Sequence, residues 1–214
     1  HFNKYGQGKP MLIFHGLFGT GDNWTTHAKK WAEHGFCVYT IDQRNHGRSP
    51  HSEEMNYALM RDDAIDLIAS ENLRDVILMG HSMGGKAAMQ LALTQGHLLR
   101  RLVVADIAPV AYAHDQTGHI TAMRSLDLQG LSTRSEADSR LALLVEDPAL
   151  RAFFLQSLDL KASPPMWRLN LDVLEAAMPQ IIGWPDTKGC FEGPTLFLTG
   201  SQSTYVKPEN RVTI

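Results

Sequence analysis

The sequence has little of what metal, redox and nucleic-acid chemistry require. Its two cysteines, Cys37 and Cys190, lie outside any CxxC or Cys/His spacing, and its ten histidines form no HExxH pair. We therefore expect reduced thiols and no metal site. The net charge of −3 provides no basic surface for nucleic acid. Neither GxGxxG after a strand nor GxxxxGK[ST] occurs, so we expect no nucleotide and no other cofactor.

Long apolar runs are absent as well. No apolar stretch reaches about 18 residues, and the chain does not open with a charged and then apolar leader. We therefore expect no membrane contact, no signal peptide and a cytoplasmic location. The length of 214 residues, with 43% hydrophobic and 20% charged residues, is typical of one globular domain with a sizeable core. The sequence leaves the oligomeric state open.

What the sequence does contain is a regular alternation of apolar strand-like runs with helix-forming segments. Such strands, apolar throughout, are typical of an α/β fold in which a mostly parallel sheet is covered by helices on both faces. In such a sheet, ligands bind beyond the carboxyl ends of the strands. We predict strands at 10–14, 36–41, 75–79, 101–105 and 194–198, and helices at 24–34, 57–70 and 83–93.

The segment Gly80-His81-Ser82-Met83-Gly84-Gly85 joins one of these strands to a helix and reads as GxSxG. A strand before and a helix after this motif are the context of a nucleophile elbow, whose sharp turn presents the serine above the end of the sheet. The alternative is a glycine-rich turn that merely contains a serine. We interpret Ser82 as the nucleophile of a hydrolase.

A second glycine-bracketed loop, His15-Gly16-Leu17-Phe18-Gly19, follows the first predicted strand. In a serine hydrolase a loop here supplies one backbone N–H to the oxyanion, and the residue after the nucleophile supplies the other. The expected oxyanion hole is therefore Leu17 with Met83, and Phe18 is the neighbouring candidate. The alternative is a plain strand-to-helix turn. We expect His15 to be a structural hydrogen-bonding residue and not a base.

A triad also needs an acid that orients the base. Asp106 directly follows the strand 101–105, where a carboxylate is suitably placed. An ordinary aspartate at a strand end is the alternative interpretation. A second candidate position for the acid is the loop after the strand 194–198, where Ser203 stands and no aspartate occurs.

Between the last two strands the pattern changes to helices alone, at 120–126, 136–145, 150–158 and 169–178. We interpret residues 112–185 as an inserted helical lid, and residues 1–111 and 186–214 as the core. With Phe18, the lid residues Phe154, Trp167 and Trp184 are candidates for contact with substrate. For each of them, packing within an amphipathic lid helix is the alternative.

The motifs HGLFG, DQRNHGRS, GHSMGGK, DIAP and IIGW together resemble the α/β-hydrolases, and among them the small bacterial esterases. This resemblance implies a serine hydrolase that cleaves a small-molecule ester or acyl thioester through an acyl-serine intermediate. We expect short acyl chains, because the lid is brief and its aromatic side chains would crowd a long tail. It implies Ser82 as nucleophile and Asp106 as acid. Ser203 would be a fourth member that hydrogen-bonds the histidine or the acid.

Other functions remain open at this stage. The same fold hosts carbon–carbon bond hydrolysis and perhydrolysis, and a non-catalytic relative that only binds a ligand is possible. Dehalogenase and epoxide hydrolase chemistry is disfavoured, because those relatives have aspartate at the position of Ser82. Lys86 and Arg44 suggest phosphate binding for a coenzyme A thioester. We expect instead that Lys86 is a solvated surface charge and that Arg44 pairs with a nearby carboxylate.

The base is the unresolved part of the triad. In α/β-hydrolases the order is serine, acid, histidine, with the histidine after the final strand, but the last histidine here is His119. We expect that the catalytic histidine lies beyond Ile214, so that residues 1–214 alone are nearly inactive and expose a sheet edge. A base at His114 or His119, or a pseudoenzyme, is the alternative. We expect the His81 side chain to point away from Ser82.

Overall fold

A six-stranded sheet forms the centre of the molecule, with strand order β1-β3-β2-β4-β5-β8. The structure is a computed structural model that describes residues 1–113 and 115–214. All neighbouring strands in this sheet are parallel except β1, which pairs antiparallel with β3. The strands are β1 (Phe2–Tyr5), β2 (Lys9–Phe14), β3 (Phe36–Ile41), β4 (Val76–His81), β5 (Leu99–Ala105) and β8 (Thr195–Leu198), with a separate pair, β6 (Leu158–Asp159) and β7 (Met166–Trp167).

Helices cover both faces of the sheet. The helices are α1 (Thr25–Ala32), α2 (Tyr57–Ser70), α3 (Met83–Gln95), α4 (Thr117–Ser125), α5 (Arg134–Leu141), α6 (Pro148–Leu155), α7 (Leu171–Ala176) and α8 (Met178–Ile182), with 3₁₀ turns at Gly21–Trp24, Gly96–Leu98 and Pro208–Val212. Ile13 and Met79 pack with Ala28 of α1 on one face, whereas Leu12 and Leu78 pack with α2 and α3 on the other. Each such buried aliphatic side chain contributes about 1.5–3 kcal/mol.

The strand register brings the expected site residues to one edge of the sheet. Phe14 pairs with Gly80, His81 pairs with Ala105, and Ala105 pairs with Leu198. Because these strands are parallel, the loops that follow β2, β4, β5 and β8 all leave the sheet at the same edge. The chemistry expected from the sequence is therefore concentrated there.

Between β5 and β8 lie helices α4 to α8 and strands β6 and β7, in the stretch that we call the inserted segment (residues 112–185). The expectation that it is purely helical is wrong, because β6 and β7 pair antiparallel within it. Pro164 and Pro165 lie between these two strands, and proline disfavours a continuous helix there. The helix predicted at 169–178 is also divided, into α7 and α8. Pro179 occupies the first turn of α8, where its missing N–H costs nothing.

Three further observations concern an edge strand, the cysteines and the helix lengths. Strand β1 was not predicted, because its four residues are half-exposed and include Asn3 and Lys4, a weak strand pattern. Cys37 and Cys190 are both free thiols, the first buried and the second exposed. Of the helices that the structure describes, none combines the length and the apolar character that a membrane span requires.

Candidate active site

Ser82 lies at the turn between β4 and α3 with φ +52° and ψ −120°, a strained conformation for a residue with a side chain. The neighbouring glycines make this turn possible. A Cβ on Gly80 would collide with the carbonyl oxygen of Gly84, and a Cβ on Gly84 would lie 2.5 Å from the carbonyl oxygens of Phe14 and His15. The turn at Ser82 thus requires that the backbone at Gly84 approach the end of β2 closely, and that β4 and α3 approach each other closely at Gly80.

A cavity of about 400 Å³ opens above Ser82, between the sheet edge and the inserted segment. Its apolar wall includes Phe18 and Phe154, two of the candidates for contact with substrate, and several residues without a sequence signal. The wider lining comprises His15, Gly16, Leu17, Gly19, Asn23, Trp24, His81, Met83, Lys86, Ile107, Tyr112, Gln116, His119, Leu150, Phe153, Ile181, Ile182 and Tyr205. The arrangement is that of a small-molecule pocket with Ser82 among its lining residues.

Trp167 and Trp184 are not among the described residues that line this cavity. The Trp167 ring is buried inside the inserted segment, where its Nε1–H donates to the Met123 carbonyl at 2.8 Å. Trp184 lines a different cavity of about 560 Å³, beside Phe191. A buried indole N–H needs a hydrogen-bond acceptor, and the bond to the Met123 carbonyl holds the Trp167 ring within the inserted segment.

The two expected oxyanion donors are the N–H groups of Leu17 and Met83, two residues that line the cavity, and neither N–H has an acceptor among the described residues. Met83 is the first residue of α3, where backbone N–H groups lack an intrahelical partner. The neighbouring candidate, Phe18, is unsuitable because its N–H donates to His46 Nε2 at 3.2 Å. Two uncommitted donors remain beside the serine.

His15 fixes the orientation of the Leu17 N–H. The Gly16 carbonyl accepts from His15 Nδ1–H at 2.8 Å and from the Gly19 N–H at 3.0 Å. Because a trans peptide is planar, holding this carbonyl also sets the direction of the Leu17 N–H. His15 Nε2 accepts from the Gln43 N–H at 3.0 Å, which assigns the proton to Nδ1. Burial lowers the pKa of His15 to about 4, so the ring is neutral.

Asp106 directly follows β5 with φ +56° and is half-buried. Its Oδ1 accepts from Thr199 Oγ at 3.2 Å and from the Gly200 N–H at 3.4 Å, so it faces the loop after β8. Ser203 lies in the same loop, where its N–H donates to the Gly200 carbonyl and its hydroxyl accepts from the Tyr205 N–H at 3.2 Å. Both candidate positions for the acid therefore meet, and Ser203 supports the turn that presents Gly200 to Asp106.

The described histidines form no hydrogen bond with the Ser82 hydroxyl. His81 and His119 both line the cavity, although we expected the His81 side chain to point away. The His119 ring packs 5.2 Å from the Phe154 ring, centre to centre. Burial lowers the pKa of both histidines, opposed at His81 by the charge of Asp106. His114, the other alternative base, lies outside the described residues.

The expectation that Lys86 is a solvated surface charge is wrong. It is buried, not solvated, with an exposed fraction of 1%, and its Nζ donates to the carbonyls of Ile182 at 2.8 Å and Gly183 at 2.6 Å. The end of the inserted segment covers this position on α3, and burial lowers the pKa of Lys86 to about 8. Arg44 makes a bidentate pair with Asp63 at 2.7 Å, as expected. Both cations are thus engaged, and neither is free for a coenzyme A phosphate.

No group of three or more His, Cys, Asp or Glu side chains in residues 1–113 and 115–214 is arranged to hold a metal ion.

Comparisons with known proteins relate the chain to a family of hydrolases. A family model described as the alpha/beta hydrolase fold matches residues 9–213. The sn-1-specific diacylglycerol lipase ABHD11 of Danio rerio is 38% identical over 216 residues, which cover 98% of this chain and 68% of the lipase. Esterase YbfF of Escherichia coli is 32% identical over 206 residues, covering 94% of this chain and 78% of the esterase.

A solved structure of a marine microorganism esterase superposes with a TM-score of 0.94 at 36% identity, covering 100% of this chain and 85% of the esterase. The fold expected from the sequence, a mostly parallel sheet covered by helices, is confirmed by the family match and by this superposition.

Proposed function

The chain belongs to the α/β-hydrolase family, and we propose that it cleaves small-molecule carboxylic esters through an acyl-enzyme on Ser82. It is a carboxylic ester hydrolase, in keeping with relatives named as a lipase and as esterases. The observation that carries the serine mechanism is the strained elbow, which brings Ser82 to the same cavity as Leu17 and Met83, whose N–H groups have no acceptor among the described residues.

In the proposed reaction, Ser82 Oγ attacks the ester carbonyl while a base takes the hydroxyl proton. The N–H groups of Leu17 and Met83 stabilise the oxyanion of the tetrahedral intermediate. Collapse of this intermediate breaks the bond to the alcohol, which leaves with the proton returned by the base. Water then attacks the acyl-serine by the same route and releases the acid. Asp106 is the residue proposed to orient a histidine base, with Ser203 supporting its loop.

The cavity supports short acyl chains. Its volume of about 400 Å³ lies near the lower end of the roughly 300–1,000 Å³ typical of ligand pockets. Phe18 and Phe154 meet edge to face, with ring centres 5.6 Å apart, and close one side of it. We propose that the inserted segment, which supplies Phe154 and its neighbours, acts as a lid.

The free thiols of Cys37 and Cys190 support a reducing compartment such as the cytoplasm.

The test is to label the purified protein with a fluorophosphonate and to measure hydrolysis of p-nitrophenyl esters from acetate to dodecanoate. We expect labelling at Ser82 and the highest rates with the short esters. Ser82→Ala should abolish both labelling and turnover. Labelling that persists in Ser82→Ala, or that maps to Ser203, would show that the nucleophile is misassigned. A rate that rises steadily up to dodecanoate would contradict the short-chain proposal.

The base is identified in the same assay with His119→Ala and His81→Ala. Replacing the histidine that acts as the base should abolish both the labelling of Ser82 and turnover, because an unactivated serine reacts with neither substrate nor probe. If the full-length protein neither labels nor turns over any ester, the serine mechanism is refuted.

A further inference from the structure

Phe18 is the strained residue of the oxyanion loop (Gly16–Gly19). It has φ +64° although it carries a large side chain, and its exposed fraction is 3%. A non-glycine residue in this conformation costs about 1–3 kcal/mol and persists only when its surroundings hold it. Phe18 directly follows Leu17, the proposed oxyanion donor. The direction of that donor therefore depends on whatever holds Phe18 in place.

Two side chains from distant parts of the chain bind the backbone of Phe18. Its N–H donates to His46 Nε2 at 3.2 Å, and its carbonyl accepts from Ser157 Oγ at 2.9 Å. Both His46 and Ser157 are completely buried. His46 belongs to the loop after β3, but Ser157 belongs to the inserted segment, between α6 and β6. One of the two supports of the oxyanion loop therefore comes from the layer that covers the cavity.

Ser157 is rigidly connected to that layer. Its N–H donates to the Phe154 carbonyl at 2.9 Å, and its own carbonyl accepts from the Arg168 N–H at 2.8 Å. It therefore moves with α6 and with the β6–β7 ladder. The Phe154 ring rests on Phe18, so the same part of the inserted segment meets both the side chain and the backbone of Phe18.

The neighbouring contact points the same way. The Gln156 side chain accepts from Asn23 Nδ2, and Asn23 Oδ1 in turn accepts from the Thr20 N–H at 2.7 Å. Thr20 is the residue that follows the oxyanion loop. Two successive residues of the inserted segment, Gln156 and Ser157, thus hold the loop and its exit.

We propose that Ser157 is a positioning residue that couples the seating of the inserted segment to the shape of the oxyanion hole. This inference rests on the proposed serine mechanism, because it concerns the N–H of Leu17. When the inserted segment is seated, the Ser157 hydroxyl holds the Phe18 carbonyl and the loop presents its donor. When the segment lifts, the strained Phe18 loses this support and the donor turns away. The oxyanion hole is then complete only over a covered cavity.

The experiment compares Ser157→Ala with the matched control Tyr57→Phe in the full-length protein. Tyr57→Phe also deletes one buried hydroxyl between the core and the inserted segment, since Tyr57 Oη donates to the Ile181 carbonyl at 2.6 Å. It does not touch the oxyanion loop. For each variant, kcat and KM are measured with p-nitrophenyl butyrate, together with inhibition by a trifluoromethyl ketone and by the matching methyl ketone. The first ketone forms a tetrahedral oxyanion on the serine, and the second binds without one.

We expect Ser157→Ala to lower kcat about tenfold with KM nearly unchanged, a fraction of the 10²–10³ lost when an oxyanion donor is removed outright. The preference for the trifluoromethyl ketone over the methyl ketone should fall by a similar factor. Ser157→Cys keeps a weak donor of similar size and should recover part of kcat. Tyr57→Phe should lower the Tm but leave kcat and the ketone preference unchanged.

The outcomes separate the two proposals. If Ser82→Ala abolishes turnover but Ser157→Ala behaves like the wild type, only the positioning role is wrong. If Ser157→Ala and Tyr57→Phe lose kcat equally, Ser157 acts merely through stability and the coupling is refuted. If Ser82→Ala retains turnover, the serine mechanism fails, and the role of Ser157 fails with it.

Discussion

Ser82 and Asp106 have similar backbone geometry. Each directly follows a parallel strand, and each has a positive φ, +52° and +56°. Their strands are neighbours, because His81 pairs with Ala105 and the Ser82 N–H donates to the Ala105 carbonyl at 3.0 Å. The chain therefore turns sharply at the same height on adjacent strands. This places the proposed nucleophile and the proposed acid side by side at the sheet edge.

Asp106→Asn tests the acid at this scale. Asparagine tolerates the positive φ and keeps the shape of the side chain, so the fold should be unaffected. It cannot stabilise an imidazolium, and we expect kcat to fall by about 10⁴. Ester hydrolysis and the Tm are measured together, so that a loss of activity can be separated from a loss of structure.

Ser203→Ala is the matched comparison, because it removes a polar side chain from the loop that Asp106 contacts. Its hydroxyl accepts from the Tyr205 N–H and not from a charged group, so we expect a much smaller loss. A nearly wild-type rate for Asp106→Asn would mean that the acid must be sought elsewhere in the loop after β8.

Some site residues carry a local signal and others do not. Ser82 and Asp106 could be predicted because each follows a recognisable strand, and the elbow has its own glycine spacing. Lys86 could not, because its acceptors are the carbonyls of Ile182 and Gly183, 96 and 97 residues away. A lysine on a helix resembles a surface charge until the covering layer is known. Ser157 likewise acts on a carbonyl 139 residues away.

At the scale of elements, two loops depend on neutral histidines. His15 joins the oxyanion loop to Gln43, and His46 joins the loop after β3 to Phe18. Burial lowers the pKa of His15 to about 4 and that of His46 to about 3. Each ring uses one nitrogen as donor and the other as acceptor, so protonation would replace an acceptor with a second donor.

The stability of the fold should therefore fall in acid. Below pH 6.5, the ordinary pKa of histidine, the unfolded chain binds protons at both residues while the folded chain does not. The contribution is fully present above pH 6.5 and is lost as the pH falls towards 4 and then 3. Each histidine adds about 1 kcal/mol of lost stability per pH unit between pH 6 and 5.

Urea unfolding of the wild type, His15→Gln and His46→Gln at pH 7.5, 6 and 5 measures this loss. Glutamine offers an acceptor but does not titrate, so each variant should be less stable at pH 7.5 and lose less stability on acidification. Asp42 and His81 face His15, and His51 faces His46, and these residues are unchanged in all three proteins. If the free energy of unfolding falls equally with pH in all three proteins, the hypothesis that His15 and His46 are neutral in the folded state is refuted.

The elements themselves were predictable to different degrees. Strands β2 to β5 are buried apolar runs, and their alternation with α1 to α3 gave the parallel sheet. Strands β1, β6 and β7 have four, two and two residues, too few for a period to be visible. These segments form strands because each pairs with a neighbouring strand: β1 pairs with β3, and β6 and β7 pair with each other. Short strands of this kind are set by context and not by propensity.

At the scale of the whole molecule, the two edges of the sheet differ. β1 at one edge is short, antiparallel and carries polar residues, a common way to protect an edge. β8 at the other edge pairs with β5 and, within the described residues, has no strand on its outer side. Leu196 and Leu198 on this strand are 52% and 44% exposed. β8 is therefore the outermost strand of the sheet among the residues that the structure describes.

An unpaired, apolar edge strand is a template for another chain, so we expect the 214-residue chain to self-associate as its concentration rises. Leu196→Lys and Leu198→Lys should each reduce this association, because a lysine placed against a second edge would have to be desolvated. Leu143→Lys is the matched control, since Leu143 is 87% exposed but lies in the inserted segment, away from β8. Light scattering coupled to size-exclusion chromatography gives the mass of each variant over a wide concentration range. Association that is equal in all three variants would place the contact elsewhere, and a wild type that is monomeric throughout would show that the β8 edge is protected despite its exposed leucines.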